Sequence, residues 1–247
     1  MGSSVFLVVN LVVGAILLIL LFRFAWNMWY STAYYPAEWT RAVQDGRLSG
    51  DLISLARKFP DKSRFFSWWL QADRLEREKI PGDFAEVGVY KGESARALHL
   101  MGPERKLHLF DTFEGFERSD LASERGEAAS YTSRHFADTS VRAVLDRIRG
   151  GSQIVIHKGV FPETAAEAEG IRFALVNLDA DLYRPTKAAL EFFYPRLAPG
   201  GVIFIHDHNF RWEGIKKAVE EFTALTGVVP ILLPDPDSTV IFVKPKK

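Results

Sequence analysis

The chain has 247 residues, with 31 basic and 31 acidic side chains and no cysteine. That length accommodates one α/β domain with extras. The balanced charge excludes the basic excess of a nucleic-acid binder, and the lack of cysteine excludes a disulfide framework and a thiolate zinc site.

The first predicted element is a membrane span. Residues 5–22 are nearly unbroken Val, Leu, Ile and Phe, interrupted at Asn10, Gly14 and Ala15. About 18–20 residues at about 1.5 Å each cross a hydrocarbon core. A cleaved signal peptide is the alternative, but no basic residue precedes the run and no small-x-small site follows it. Instead Arg23, Trp26, Trp29, Tyr30, Tyr34 and Tyr35 follow as an interfacial belt. Positive charge begins at Arg23 and continues at Arg41 and Arg47, so the positive-inside bias places the downstream domain in the cytoplasm. Phe6 at position six rules out a myristoylation signal. The expected organisation is a single-pass anchor over 1–30, a linker and N-terminal helices over 31–79, and a larger domain over 80–247.

After a linker holding Pro36, helices are predicted over 48–59 and 63–79, stopping at Pro81-Gly82. From there strand and helix alternate. Strands are predicted over 83–87, 106–110, 153–157, 173–178, 202–205, 229–232 and 239–243. Helices are predicted over 94–101, 139–149, 163–168, 185–197 and 212–225. Apolar strands separated by amphipathic helices predict a doubly wound, mostly parallel, seven-stranded α/β sheet covered on both faces. The last two strands lie close together around Pro234-Asp235-Pro236-Asp237, which predicts an antiparallel closing pair. Residues 117–135 are the longest irregular stretch, and such stretches often serve as lids or binding loops.

The chemistry starts at the first sheet strand. Glu86-Val87-Gly88-Val89-Tyr90-Lys91-Gly92-Glu93-Ser94 reads as a strand, a glycine-containing turn and a helix start. Leu107-His108-Leu109-Phe110-Asp111 follows as a second strand ending in a carboxylate. Doubly wound domains hold nucleoside-bearing cofactors in this way. Gly88 and Gly92 let backbone approach the ligand, the helix from Ser94 offers a positive N-terminus, and Asp111 can accept the ribose hydroxyls. The spacing is E-x-G-x-x-x-G-x-S, not the dinucleotide G-x-G-x-x-G. An acid at Glu86 repels a pyrophosphate but suits the cationic amino acid end of S-adenosylmethionine. A nicotinamide or nucleotide-sugar enzyme is the disfavoured rival.

Two further strand ends carry acids. These are Asp179-Ala180-Asp181-Leu182-Tyr183 and His206-Asp207-His208-Asn209. In such sheets ligands collect at the carboxyl ends of strands. Asp179, His206 and Asp207 therefore form a candidate divalent-metal site, with Mg²⁺ or another ion orienting an acceptor oxygen. The alternative is that Asp179 and Asp207 cap helices. His135, in the irregular stretch, and His208 are candidate general bases beside Asp179. Lys158-Gly159-Val160-Phe161-Pro162 closes another strand and would bring backbone near an adenine.

Together, Glu86 to Ser94, Phe110-Asp111-Thr112-Phe113-Glu114-Gly115-Phe116, Lys158 to Thr164, Leu178 to Tyr183, and Gly200 to Asp207 resemble the macrocin O-methyltransferase (TylF/MycF-type) family over roughly residues 60–243. The resemblance implies a class I methyltransferase fold, Rossmann-like, and S-adenosylmethionine. It also implies an often Mg²⁺-assisted transfer to a hydroxyl, typically of an antibiotic sugar. By position it implies that Glu86, Gly88, Tyr90, Gly92, Ser94, Asp111, Thr112 and Phe113 hold the cofactor and that Asp179 and Asp207 hold metal. His206 departs from the family's usual second acid. Leu182 stands where catechol-type relatives carry a lysine base. The apolar N-terminal segment is outside the family pattern and suggests a lipid-linked or membrane-delivered acceptor instead of a soluble small molecule. A homo-oligomer is compatible with the pattern. A tethered, non-catalytic scaffold of the same fold is the second reading.

Overall fold

The computed structural model describes residues 2–29, 35–122 and 124–246. The chain divides into two compact units, residues 1–41 and 42–247. In the first, helix α1 spans Gly2–Trp29. Its stretch Val5–Trp26 is 22 residues long and apolar enough to cross a membrane. At about 1.5 Å per residue that is about 33 Å, close to the thickness of a hydrocarbon core. Tyr30 and Tyr34 of the expected aromatic belt lie outside the described residues. Helix α2, Ala37–Gln44, occupies the stretch read from sequence as linker.

In the second unit, α3 covers Gly50–Lys58 and α4 covers Lys62–Arg77. Side-chain caps start both helices. Ser49 Oγ accepts the Leu52 N–H, and Asp61 Oδ1 accepts the Arg64 N–H. Helix α4 buries Phe65, Phe66, Trp68, Trp69, Ala72 and Leu75, an apolar face at helical spacing.

The sheet strands are β1 Asp83–Val87, β2 Leu107–Asp111, β3 Ile154–Lys158, β4 Phe173–Leu178, β5 Leu197–Ile205, β6 Ile231–Leu232 and β7 Val240–Val243. Their order is β3-β2-β1-β4-β5-β7-β6. The first five are parallel, and β7 runs antiparallel to both β5 and β6. This is the predicted seven-stranded, doubly wound sheet with its antiparallel closing pair. Helices α5 Glu93–Met101, α6 Arg118–Leu121, α7 Val141–Ile148, α8 Tyr183–Arg196 and α9 Glu213–Thr226 complete the unit. Residues 163–168 form a 3₁₀ turn, not an α-helix. β5 starts five residues before its predicted beginning, at Leu197, because it pairs with Phe173 ahead of a register shift. The core on one face is aromatic, with Phe110, Phe161 and Phe173 each meeting Phe193 within 6 Å.

Strand order reverses between β1 and β4, and register decides what stands at that switch point. Val87 lies opposite Phe110 on one side and Leu178 on the other, and Leu178 lies opposite Ile205. The next residues continue the ladder. Gly88 N–H donates to Phe110 O, Asp179 N–H to Val87 O, and His206 N–H to Leu178 O. Gly88, Asp179 and His206 therefore stand in one row, at the strand ends where ligands bind in such sheets.

Candidate active site

Above this row opens a cleft of about 620 Å³. Its wall includes Gly88, Tyr90, Ser94, Asp111 and Thr112 from the first two strand ends. Gly159, Val160 and Phe161 line it after β3. Asp179, Asp181, His206 and Asp207 line it beyond the switch point. The irregular stretch also contributes, with Glu117, Asp120 and Tyr131. Several contacts tie its described residues down. Arg184 pairs with Asp120 at 2.8 Å, Tyr183 N–H donates to Glu124 at 2.7 Å, and Glu127 N–H donates to Arg211 O at 2.8 Å.

The turn after β1 is built around Asp111. Its Oδ2 accepts the N–H groups of Val89 at 2.7 Å and Tyr90 at 2.9 Å, and Oδ1 accepts that of Phe113 at 2.6 Å. Three backbone donors fix this carboxylate at the wall. Tyr90 and Phe113 both take positive φ, 48° and 55°, a strained conformation that this anchoring sustains. Gly88 has φ 84°, and a Cβ there would lie 2.0 Å from Asp179 O. The β1 and β4 turns therefore cross at a distance only glycine allows. Gly92 (φ 76°) opens α5 and, like Phe113, supports the turn without forming part of the wall.

Glu86 is fully buried within the sheet and is not part of the wall. Its Oε1 accepts from Asn177 Nδ2 at 2.8 Å, whereas Oε2 is buried without a partner. Burial pushes its carboxyl up to about 8, against the stabilising hydrogen bond from Asn177.

Across the switch point, ligating atoms of Asp179, His206 and Asp207 lie within 4.8 Å of one another. His206 Nδ1 is 3.0 Å from Asp179 Oδ1 and 3.1 Å from Asp207 Oδ2. Neither contact is aligned as a hydrogen bond, and both imidazole nitrogens are buried without such a partner. Burial works against charge on His206, but the two carboxylates outweigh it and push the imidazole up to about 10. Asp179 is held below the usual carboxylate range, since His206 and Arg64 outweigh its burial. Asp181 is pushed well above that range by burial and by the charges of Asp179 and Asp207. Asp181 and Asp207 both sit at positive φ, 59° and 60°. Neither Asp179 nor Asp207 caps a helix. The N-caps of α8 and α9 are Leu182 and Trp212, and neither makes a side-chain cap.

Two histidines read from sequence as bases stand apart from the cleft wall. His135 is exposed, and its Nδ1 accepts the Thr132 N–H at 2.9 Å while its ring stacks on Tyr131. His208 points its Nδ1 into protein, and burial lowers its basicity. Sequence reading passed over Arg64, which reaches in from α4 to Asp179 Oδ2 at 3.2 Å. It also passed over Asp181 as a chemical group, although the Asp-x-Asp spacing at a strand end was visible.

The comparisons agree with this geometry. The family model of the macrocin O-methyltransferases (TylF) matches residues 33–243. The chain is 27% identical to the 8-demethyl-8-(2,3-dimethoxy-α-L-rhamnosyl)-tetracenomycin-C 4′-O-methyltransferase of Streptomyces olivaceus, over 79% of this chain and 81% of that one. It is 28% identical to the mycinamicin III 3″-O-methyltransferase of Micromonospora griseorubida, over 75% and 78%. Among solved structures, the O-methyltransferase NovP shares the fold with a TM-score of 0.64 at 21% identity, covering 75% of this chain and 81% of that one. With this fold and a family match over most of its length, the chain belongs to the macrocin O-methyltransferase (TylF) family and is an S-adenosylmethionine-dependent methyltransferase of class I fold.

Proposed function

We propose that the protein methylates a hydroxyl of a sugar-bearing natural product or lipid-linked glycan at a membrane surface. The observation that carries this reading is one cleft with two halves. A nucleoside-type half holds Gly88, Tyr90, Ser94, Asp111 and Thr112, and an acid-rich half holds Asp179, Asp181, His206 and Asp207. Two relatives support an oxygen acceptor by their names, and one of those names carries a rhamnosyl group. The apolar helix Val5–Trp26 supports the membrane part of the reading.

S-adenosylmethionine, when bound, supplies an electrophilic sulfonium methyl. The first half of the cleft binds it, with Asp111 accepting ribose hydroxyls through lone pairs not used by its three backbone donors. Glu86, Gly92 and Phe113 support that half from behind. Asp181 takes the proton from the acceptor hydroxyl. It lies in the wall, where burial and the charges of Asp179 and Asp207 raise its proton affinity above that of an ordinary carboxylate. Phe110, Phe161 and Trp212 line the cleft with apolar surface that limits water.

The donor set of Asp179, His206 and Asp207 fits a divalent cation, because His206 Nδ1 is buried between the two carboxylates without an aligned hydrogen bond. Such an ion, when bound, supplies Lewis acidity that lowers the pKa of a hydroxyl. The imidazole favours a nitrogen-tolerant ion such as Mn²⁺ over Mg²⁺.

Three results are expected. Asp111→Ala should weaken S-adenosylmethionine binding by about 1.5–3 kcal/mol, the scale of charge-assisted hydrogen bonds, as read by calorimetry. His206→Asp should shift the metal preference toward Mg²⁺ when turnover on a deoxysugar glycoside is measured across a metal series after chelation. Undiminished turnover in chelator would exclude the metal part of the reading. Deleting residues 1–30 should release a soluble, folded domain into the supernatant without detergent, because the sheet and its covering helices lie downstream. Full-length protein found soluble without detergent would contradict the anchor.

A further inference from the structure

Arg64 stands in the first turn of α4, where Asp61 pins its backbone N–H. Its guanidinium lies in the cleft wall, over the Trp68 ring at 5.1 Å, and its Nη1 donates to Asp179 Oδ2 at 3.2 Å. Its Nε is buried and has no hydrogen-bond partner. A guanidinium is a planar fork of five donors that suits carboxylates, and a buried donor left unmet is costly. Only one of those donors is engaged by Asp179, so the fork at the cleft wall keeps donors for a ligand.

The rest of the wall narrows what can meet it. Glu93, Asp111, Glu117, Asp181, Asp207 and Asp237 all line the same cleft. Lys91, another cation of the wall, is engaged by Asp138. A strongly anionic ligand such as a diphosphate would meet these acids. A zwitterion would not, since its carboxylate can face Arg64 while its cationic groups face the acids. Arg64 is also close to the cofactor half, because its partner Asp179 touches the Gly88 turn through its backbone carbonyl.

We propose that Arg64 binds the α-carboxylate of S-adenosylmethionine and so sets where the methionine end lies relative to Asp179. This rests on the cofactor reading above. The test is calorimetry on the full-length protein in detergent micelles, with S-adenosylmethionine, its decarboxylated analogue and 5′-methylthioadenosine. Arg64→Gln should weaken S-adenosylmethionine roughly 10- to 100-fold, the range of a charge-assisted hydrogen bond. It should leave the two ligands without a carboxylate within about twofold, a difference inside the ordinary error of such pairwise arguments. Retained 5′-methylthioadenosine binding shows that the variant is folded. Should it be lost, Arg64→Lys supplies the same comparison with the charge and stem kept, and a larger loss for S-adenosylmethionine than for the analogue is again expected. Equal weakening of S-adenosylmethionine and its decarboxylated analogue would overturn the proposal. So would unchanged cofactor affinity with a raised acceptor KM. Wild-type protein that binds none of the three ligands would instead overturn the cofactor reading itself.

Discussion

Asp181→Asn should lower kcat for methyl transfer by about 10²- to 10⁴-fold, the usual worth of a positioned general base, while leaving S-adenosylmethionine affinity within about twofold. The substitution keeps the shape and removes the proton acceptor. Asp181 takes a φ of 59°, a conformation that asparagine also tolerates, so the backbone has no reason to move. Its position in the wall, beside but outside the trio of Asp179, His206 and Asp207, separates its effect from theirs. Asp179→Asn and Asp207→Asn should instead change the metal dependence. Single-turnover measurements with labelled cofactor give the chemical step directly. A kcat within a few-fold of wild type would remove Asp181 from the base role, and the other acids of the wall would have to be tested in turn.

Gly88→Ala should be the most damaging small substitution in the sheet unit. One methyl group would have to occupy a point 2.0 Å from Asp179 O, at a φ of 84° that a side chain rarely adopts. The neighbour is backbone, so no rotamer change relieves the clash. Overpacking together with backbone strain is expected to cost about 3–5 kcal/mol. For a unit of this size that lowers Tm by roughly 10 °C. Cofactor binding should be lost in whatever fraction still folds, because relief requires the β1 and β4 turns to separate. A differential scanning measurement with and without S-adenosylmethionine reads both effects. Wild-type Tm with normal cofactor stabilisation would show that the two turns do not cross as closely as described.

The sheet was legible because each strand is a short apolar run bounded by turn residues, and because the intervening helices are amphipathic. The turn after β1 was legible from Gly88, Gly92 and Asp111, whose spacing is local. What was not legible comes from register and from distant sequence. Arg64 reaches Asp179 across 115 positions, and nothing in the composition of α4 announces it. Asp179 and Asp181 look alike on paper. Only the ladder bond from Asp179 N–H to Val87 O puts the first in the row with His206 and leaves the second on the turn beyond. Glu86 was read as a cofactor contact, but the alternation of a strand turns it into the sheet, toward Asn177. His135 and His208 drew notice as imidazoles near the right strands, yet a local bond to Thr132 and burial, respectively, use or suppress their basic nitrogens. Residues 117–135 carry no strong periodicity. Their order comes from tertiary contacts such as Arg184 with Asp120.

The proposed reaction moves a methyl group from S-adenosylmethionine to a hydroxyl oxygen in this cleft. The most direct measurement incubates the full-length protein with methyl-¹³C S-adenosylmethionine and a membrane-lipid and glycan extract, then locates the label by NMR of the purified product. A ¹³C methoxy signal on a sugar carbon, absent with Asp181→Asn, is the expected result. Label on nitrogen or carbon, or equal labelling by the Asp181→Asn variant, would contradict it.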